Sequence, residues 1–209
     1  MKHLILFDDP NQETISREIL QVCTQVLNEE HAVFKVRNLA EQHLEDSELI
    51  QNPIQNPNYQ SQQEVILEAQ RDIMEASKIT FICGVWKGML SKNVRVFIDK
   101  VFTQEFVFNL IAGGKNGVTC KKRIGFISVE LIPDYEGEAA EFERNNHDIE
   151  YKDVIEHCGA PLEFHLAFAE YKSNQPKRKK LIIEEVGRTM RNFIHMHAEE
   201  CRGNWDINI

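Results

Sequence analysis

Apolar and polar positions fall along the chain in blocks of two kinds. Short runs rich in β-branched and aromatic residues, the mark of strands buried on both faces, occupy residues 2–7, 32–36, 79–83, 123–129 and 161–169. Between them lie segments whose apolar residues recur at helical spacing. Residues 13–29 set Ile15, Ile19, Val22, Cys23, Val26 and Leu27 on one face, and residues 64–77 do the same with Val65, Ala69, Ile73 and Ala76. From Leu90 a third stripe runs through Val94, Phe97, Ile98, Val101 and Phe102. A short helix is expected to end at the cap Gly159, and Pro176 is placed to open a last helix reaching about Glu200.

Five strands alternating with about five helices predict a three-layer α/β sandwich around a parallel sheet, one domain over residues 1–209. Right-handed crossovers and the strand order 2-1-3-4-5 follow from the order of elements, with the switch point between strands one and three. The loop after Phe7 would then lie beside the loop after Cys83, where open α/β sheets bind ligands. Residues 40–63, polar and punctuated by Pro53 and Pro57, read as a long surface connection with a helical turn near 45–49, either a cover over a site or a plain linker. Residues 103–122 read as a flexible connection; their glycine-rich turn lacks the spacing and the hydroxyl residue of a phosphate-binding P-loop. The basic run 177–180 gains nothing from the dipole at the start of a helix and reads as a solvated face.

Composition narrows the picture further. The net charge of −9 disfavours non-specific nucleic-acid binding. Five scattered cysteines without paired spacing favour a reducing cytosol over a disulfide framework or a zinc site. The chain opens directly on a strand rather than on a secretory signal, and no apolar run approaches a membrane span, so a cytoplasmic protein is expected. His195 and His197, two apart on a helix, diverge by about 200° and cannot share a metal. No metal ligand set is expected elsewhere, and no G-x-S-x-G appears.

Two loops carry candidate chemistry. In the first, Thr14 and Ser16 at the start of a helix could cradle a phosphate, or Asn11 or Thr14 could simply cap that helix. Asp8 and Asp9 would repel an anion there unless they point away or meet a cation. In the second, Gly84 and Gly88 bracket Val85, Trp86 and Lys87, and the indole could lie against a flat ligand or pack over the sheet edge. An acidic pair after strand one also suits a magnesium-binding receiver domain, but such a domain needs an aspartate where this chain has Gly84 and Val85.

MKHLILFDDPNQETIS resembles the opening of the flavodoxin-like NAD(P)H:quinone oxidoreductases, whose first loop reads His-Pro-Asn-x-x-Ser-Phe-Asn; the match falls on Asp9, Pro10, Asn11, Thr14, Ile15 and Ser16. GVWKGMLSKNVRVFIDKVF is similar, without a gap, to the family's Pro-x-Trp-Trp-Gly-x-x-Pro-Ala followed by a helix ending Phe-Ile-Asp-Arg-Val-Phe. The resemblance covers the first half in residues and the second half in element order. It implies a flavodoxin-like fold and a homodimer. It implies FMN rather than FAD, since the FAD-binding members carry further C-terminal structure. It also implies NAD(P)H as co-substrate and a quinone-like small-molecule acceptor. The phosphate would sit on Thr14, Ile15 and Ser16, the ring against Val85, Trp86, Lys87 and Gly88, and a third loop would contribute Ser128 and Val129. Lys87 would either stabilise negative charge at the ring edge or face solvent. Tyr135 and His147 are the candidates for the Tyr and His that assist hydride transfer in some members. Asp9 replaces the family's histidine, Gly84 and Ser91 replace its prolines, and residues 128–133 lack its glycine pair. A degenerate regulatory or ancillary subunit with weak or no flavin binding, serving a membrane transporter, is the alternative.

Overall fold

The computed structural model describes residues 2–9, 15–44, 59–86, 89–108, 122–132, 158, 160–171 and 176–196. Its first strand, β1 (Lys2–Asp8), feeds two cores at once. Leu4 and Leu6 enter one hydrophobic cluster while Ile5 and Phe7 enter the other, as the two-residue period of a strand requires. β1 is flanked by β2 (Val33–Asn38) and β3 (Ala76–Trp86), and β3 is followed outward by β5 (Arg123–Ile132) and β6 (Leu162–Tyr171). All of these neighbours pair in parallel, in the order β2-β1-β3-β5-β6. This is the expected 2-1-3-4-5 once the two-residue β4 (Met89–Leu90), antiparallel to β3, takes its place in the count.

Helices cover both faces. α1 (Ser16–Glu29) and α5 (Pro176–His195) lie over one face, sealing Ile5, Phe7, Ile82 and Ile127 beneath Ile19, Cys23, Leu27, Val186 and Met190. α2 (Tyr59–Glu75) and α3 (Lys92–Val101) lie over the other, where Ile73, Val94, Phe97 and Val101 meet Leu4, Leu6, Phe81 and Phe126. A short α4 (Gln104–Phe108) follows α3. α1 ends in a Schellman turn: His31 adopts φ 51°, and the Ala32 N–H reaches back to the Leu27 carbonyl at 2.8 Å. Among the described residues no helix is long and apolar enough to cross a membrane.

Several boundaries differ from the sequence reading, each for a physical reason. α2 starts at Tyr59, inside the stretch expected to be a connection, because its first turn is glutamine-rich and shows no apolar stripe. Gln104–Phe108 is helical where a flexible connection was expected, with Val107 buried against the core. β3 runs through the expected loop as far as Trp86, since Gly84 and Val85 still pair with Val129 and Glu130 of β5. α5 stops at His195 rather than near Glu200. The expected turn at 45–49 and the helix before Gly159 lie outside the described residues, apart from Cys158, which is buried in the core.

Candidate functional site

The ends of β1 and β3 meet at the switch point, Asp8 lying in register with Cys83. Asp8 continues the alternation of Leu4 and Leu6 and is fully buried towards α3. Its carboxylate accepts hydrogen bonds from the Ser91 hydroxyl and from Asn93 Nδ2 at 2.9 Å. Ser91 is also the N-cap of α3, its oxygen accepting from the Val94 N–H at 3.3 Å. Asp9 faces the other way. Its buried carboxylate lies 3.7 Å from Arg17 Nε in the first turn of α1. The two adjacent acids therefore straddle the sheet, each tied to the start of a helix on its own side.

The start of α1 follows Asp9 in the chain and carries Arg17 in its first turn. The first helical hydrogen bond runs from the Ile19 N–H to the Ile15 carbonyl at 3.0 Å, and Ile15, at the cap position, has no side-chain acceptor of its own for the first-turn N–H groups. Ile15 and Ser16 are both buried there. With Asp8 turned to the far face and Asp9 beside Arg17, the repulsion expected from the acidic pair is removed or offset. An anion such as a phosphate monoester suits this donor set, because helix N-terminal N–H groups and the dipole both favour negative charge.

On the β3 side, Val85 pairs with Leu90 and Trp86 with Met89, antiparallel, so Gly84, Val85 and Trp86 belong to a strand rather than to a loop. The Val85 side chain packs in the core. Trp86 is the last residue of β3; Thr14, Lys87, Gly88, Tyr135 and His147 lie outside the described residues. Ser128 and Val129 are interior strand residues rather than loop residues, because β5 continues to Ile132 in register with Tyr171 of β6. Ser128 is buried and shares a hydrogen bond with His165 Nε2 at 3.2 Å, His165 standing edge-on to Phe126. The Cys83 thiol is pushed up by burial and, second, by the charge of Asp8, so it remains a thiol. Among the described residues no three His, Cys, Asp or Glu side chains are grouped to hold a metal.

Asn93 and Arg17 were not singled out from the sequence, and Ser91 only as the replacement of a family proline. A serine just before an apolar helical stripe reads as an N-cap, and that much was available. Its link to Asp8 spans 83 residues and leaves no local trace.

Residues 1–192 match the model of the family described as having a flavodoxin-like fold. No curated protein sequence matches significantly. Among solved structures, the NAD(P)H:quinone oxidoreductase from Methanothermobacter marburgensis superposes with a TM-score of 0.65 at 18% identity, covering 96% of this chain and 99% of that one. The FMN-dependent NADH-azoreductase from Bacillus anthracis, in complex with FMN, gives 0.65 at 13% identity, covering 92% and 99%. General stress protein 14 from Treponema denticola, also in complex with FMN, gives 0.52 at 16% identity, covering 93% and 96%. At these identities the likeness is one of fold.

Proposed function

Since the chain belongs to the family with a flavodoxin-like fold, we propose that it binds FMN at the switch point and is a flavin-dependent NAD(P)H oxidoreductase with a quinone-like small-molecule acceptor. The observation that carries this reading is the start of α1 following β1, with Arg17 in its first turn and the Asp8 carboxylate withdrawn to the opposite face. Thr14, Ile15 and Ser16 hold the phosphate, with the first-turn N–H groups donating and Arg17 adding positive charge. Trp86, Lys87 and Gly88 form the wall for the ring, while Val85, Ser128 and Val129 support that wall from within the sheet. FMN, when bound, supplies the hydride-carrying ring; the protein supplies stacking, orientation and charge. Tyr135 and His147 hold or pass the accompanying proton. The working form is a cytoplasmic homodimer. The solved structures whose printed names include FMN and NAD(P)H support the same cofactor and co-substrate.

The test is direct. Purified protein titrated with FMN should quench flavin fluorescence and turn yellow, and should then oxidise NADH or NADPH when a quinone is supplied. Thr14→Ala and Trp86→Ala should each weaken FMN binding about tenfold or more, the worth of one charge-assisted hydrogen bond or one stacking contact. Absence of flavin binding and of flavin-dependent NAD(P)H oxidation would sink the enzyme and leave a regulatory binding protein on the same fold. Light scattering across a concentration series checks the dimer.

A further inference from the structure

The hairpin that forms one wall of the proposed seat is weakly held by its own ladder. β4 contributes two residue pairs to β3, Val85 with Leu90 and Trp86 with Met89, and so short a ladder has little stability alone. The residue after β4 is Ser91, whose hydroxyl donates to Asp8. Two residues on, the Asn93 amide donates to the same carboxylate at 2.9 Å. Asp8 is the last residue of β1, one residue before Asp9 and the chain that leads to α1. One buried carboxylate thus belongs covalently to the phosphate wall and by hydrogen bonds to the return of the ring wall.

We propose that Asp8 is a positioning residue which, through Ser91 and Asn93, fixes the distance between the two walls of the flavin seat. This rests on the functional reading above. FMN engages both walls at once, so holding them at the right separation turns two weak contacts into one strong one, in the manner of a two-point ligand on a rigid receptor. Riboflavin, which lacks the phosphate, engages the ring wall alone and gains nothing from the spacing. The buried carboxylate is suited to the task because it accepts two donors from one helix start and has one strand-end backbone behind it.

Asp8→Asn, Asn93→Ala and the double variant separate the possibilities, read by titration with FMN and with riboflavin alongside the melting temperature of the apoprotein. Each single variant should weaken FMN about tenfold, the double should add little more, and riboflavin affinity should stay within about threefold. A role in stability alone would lower the melting temperature without changing the ratio of FMN to riboflavin affinity. An unchanged ratio in variants of a wild type that does bind FMN overturns the positioning role and leaves the function standing. A wild type that binds neither flavin overturns the functional reading and this role with it. Should Asp8→Asn fail to fold, Asn93→Ala, at a part-exposed position, decides the question alone.

Discussion

His3 shows how far the fold dictates the state of a single side chain. It is buried in β1, shares a hydrogen bond with the Thr80 hydroxyl at 2.8 Å and stands edge-on to Phe193 at 5.5 Å. Burial, and then the nearby Lys78 ammonium, push its pKa down to about 3, so it is neutral wherever the protein is folded near neutrality. The unfolded chain binds this proton near pH 6.5, so the stability conferred by neutral His3 is complete above that pH. It is lost as pH falls from 6.5 towards 3, by about 1.4 kcal/mol per pH unit. Urea denaturation at several pH values should show that slope in the wild type, and His3→Gln should flatten it. Gly125 makes the opposite point, that of a missing side chain. A Cβ there would lie 2.3 Å from the ring of Phe164, which itself packs edge-to-face on Phe193 at 5.1 Å. Gly125→Ala should cost about 1–3 kcal/mol by forcing that ring aside, and Phe164→Leu in the same chain should recover part of it, as read from the denaturation midpoint. Residue types alone disclosed neither. Asp8 is similar: the sequence raised the objection that it would repel a phosphate, but only the packing of α3 shows where the carboxylate goes.

Between elements, β2 and α2 are joined by charge more than by apolar contact. Arg37 is buried and donates to Asp72 from Nε at 3.2 Å and from a second nitrogen at 2.5 Å, while Lys35 donates to the same carboxylate at 2.9 Å. Burial alone would raise the Asp72 carboxyl, yet the hydrogen bonds from Lys35 and Arg37 outweigh it and hold it below its usual range. Lys35, bonded to Asp72, is raised to match. Arg37→Met should destabilise by about 3 kcal/mol, because a buried carboxylate loses one of its partners, whereas Arg37→Met with Asp72→Leu should cost less than the single change. Thermal melts of the three proteins check it. Elements with an apolar period were legible, as α1, α2 and α3 were from their stripes. The β3–β4 hairpin was not: two glycines in five residues read as a break in the strand, while the partners that carry Gly84 and Val85 onward, Val129 and Glu130, lie 45 residues away.

At the scale of the molecule, the alternation of strand and helix was enough for the layers and the strand order, because parallel strands need crossovers and crossovers have one hand. The site was legible only in part. Ile15 and Ser16 stand at the start of α1, where the apolar stripe placed a helix, whereas Ser128 and Val129 lie within β5 rather than in a loop, since the acidic Glu130 hid the continuation of that strand. Bound cofactor should register in the whole fold. FMN at a hundredfold excess over its Kd should add about 2.7 kcal/mol, raising the melting temperature by roughly 5–10 °C for a chain of this size. A melt unmoved by FMN counts against the seat.

Four buried charges stand where sheet meets helix. Asp8 and Asp9 lie at the starts of α3 and α1, while Lys78 donates to the Ile194 carbonyl at the end of α5 and Lys122 to the Met74 carbonyl at the end of α2 and to that of Ala76, where β3 begins. Each has the sign that its helix end favours. A strand that slipped by one position would turn such a charge to the wrong side of the sheet, away from its donors or acceptors and into oil. The ions therefore act as keys against misalignment during folding, and neutralising them should first loosen fidelity of strand pairing.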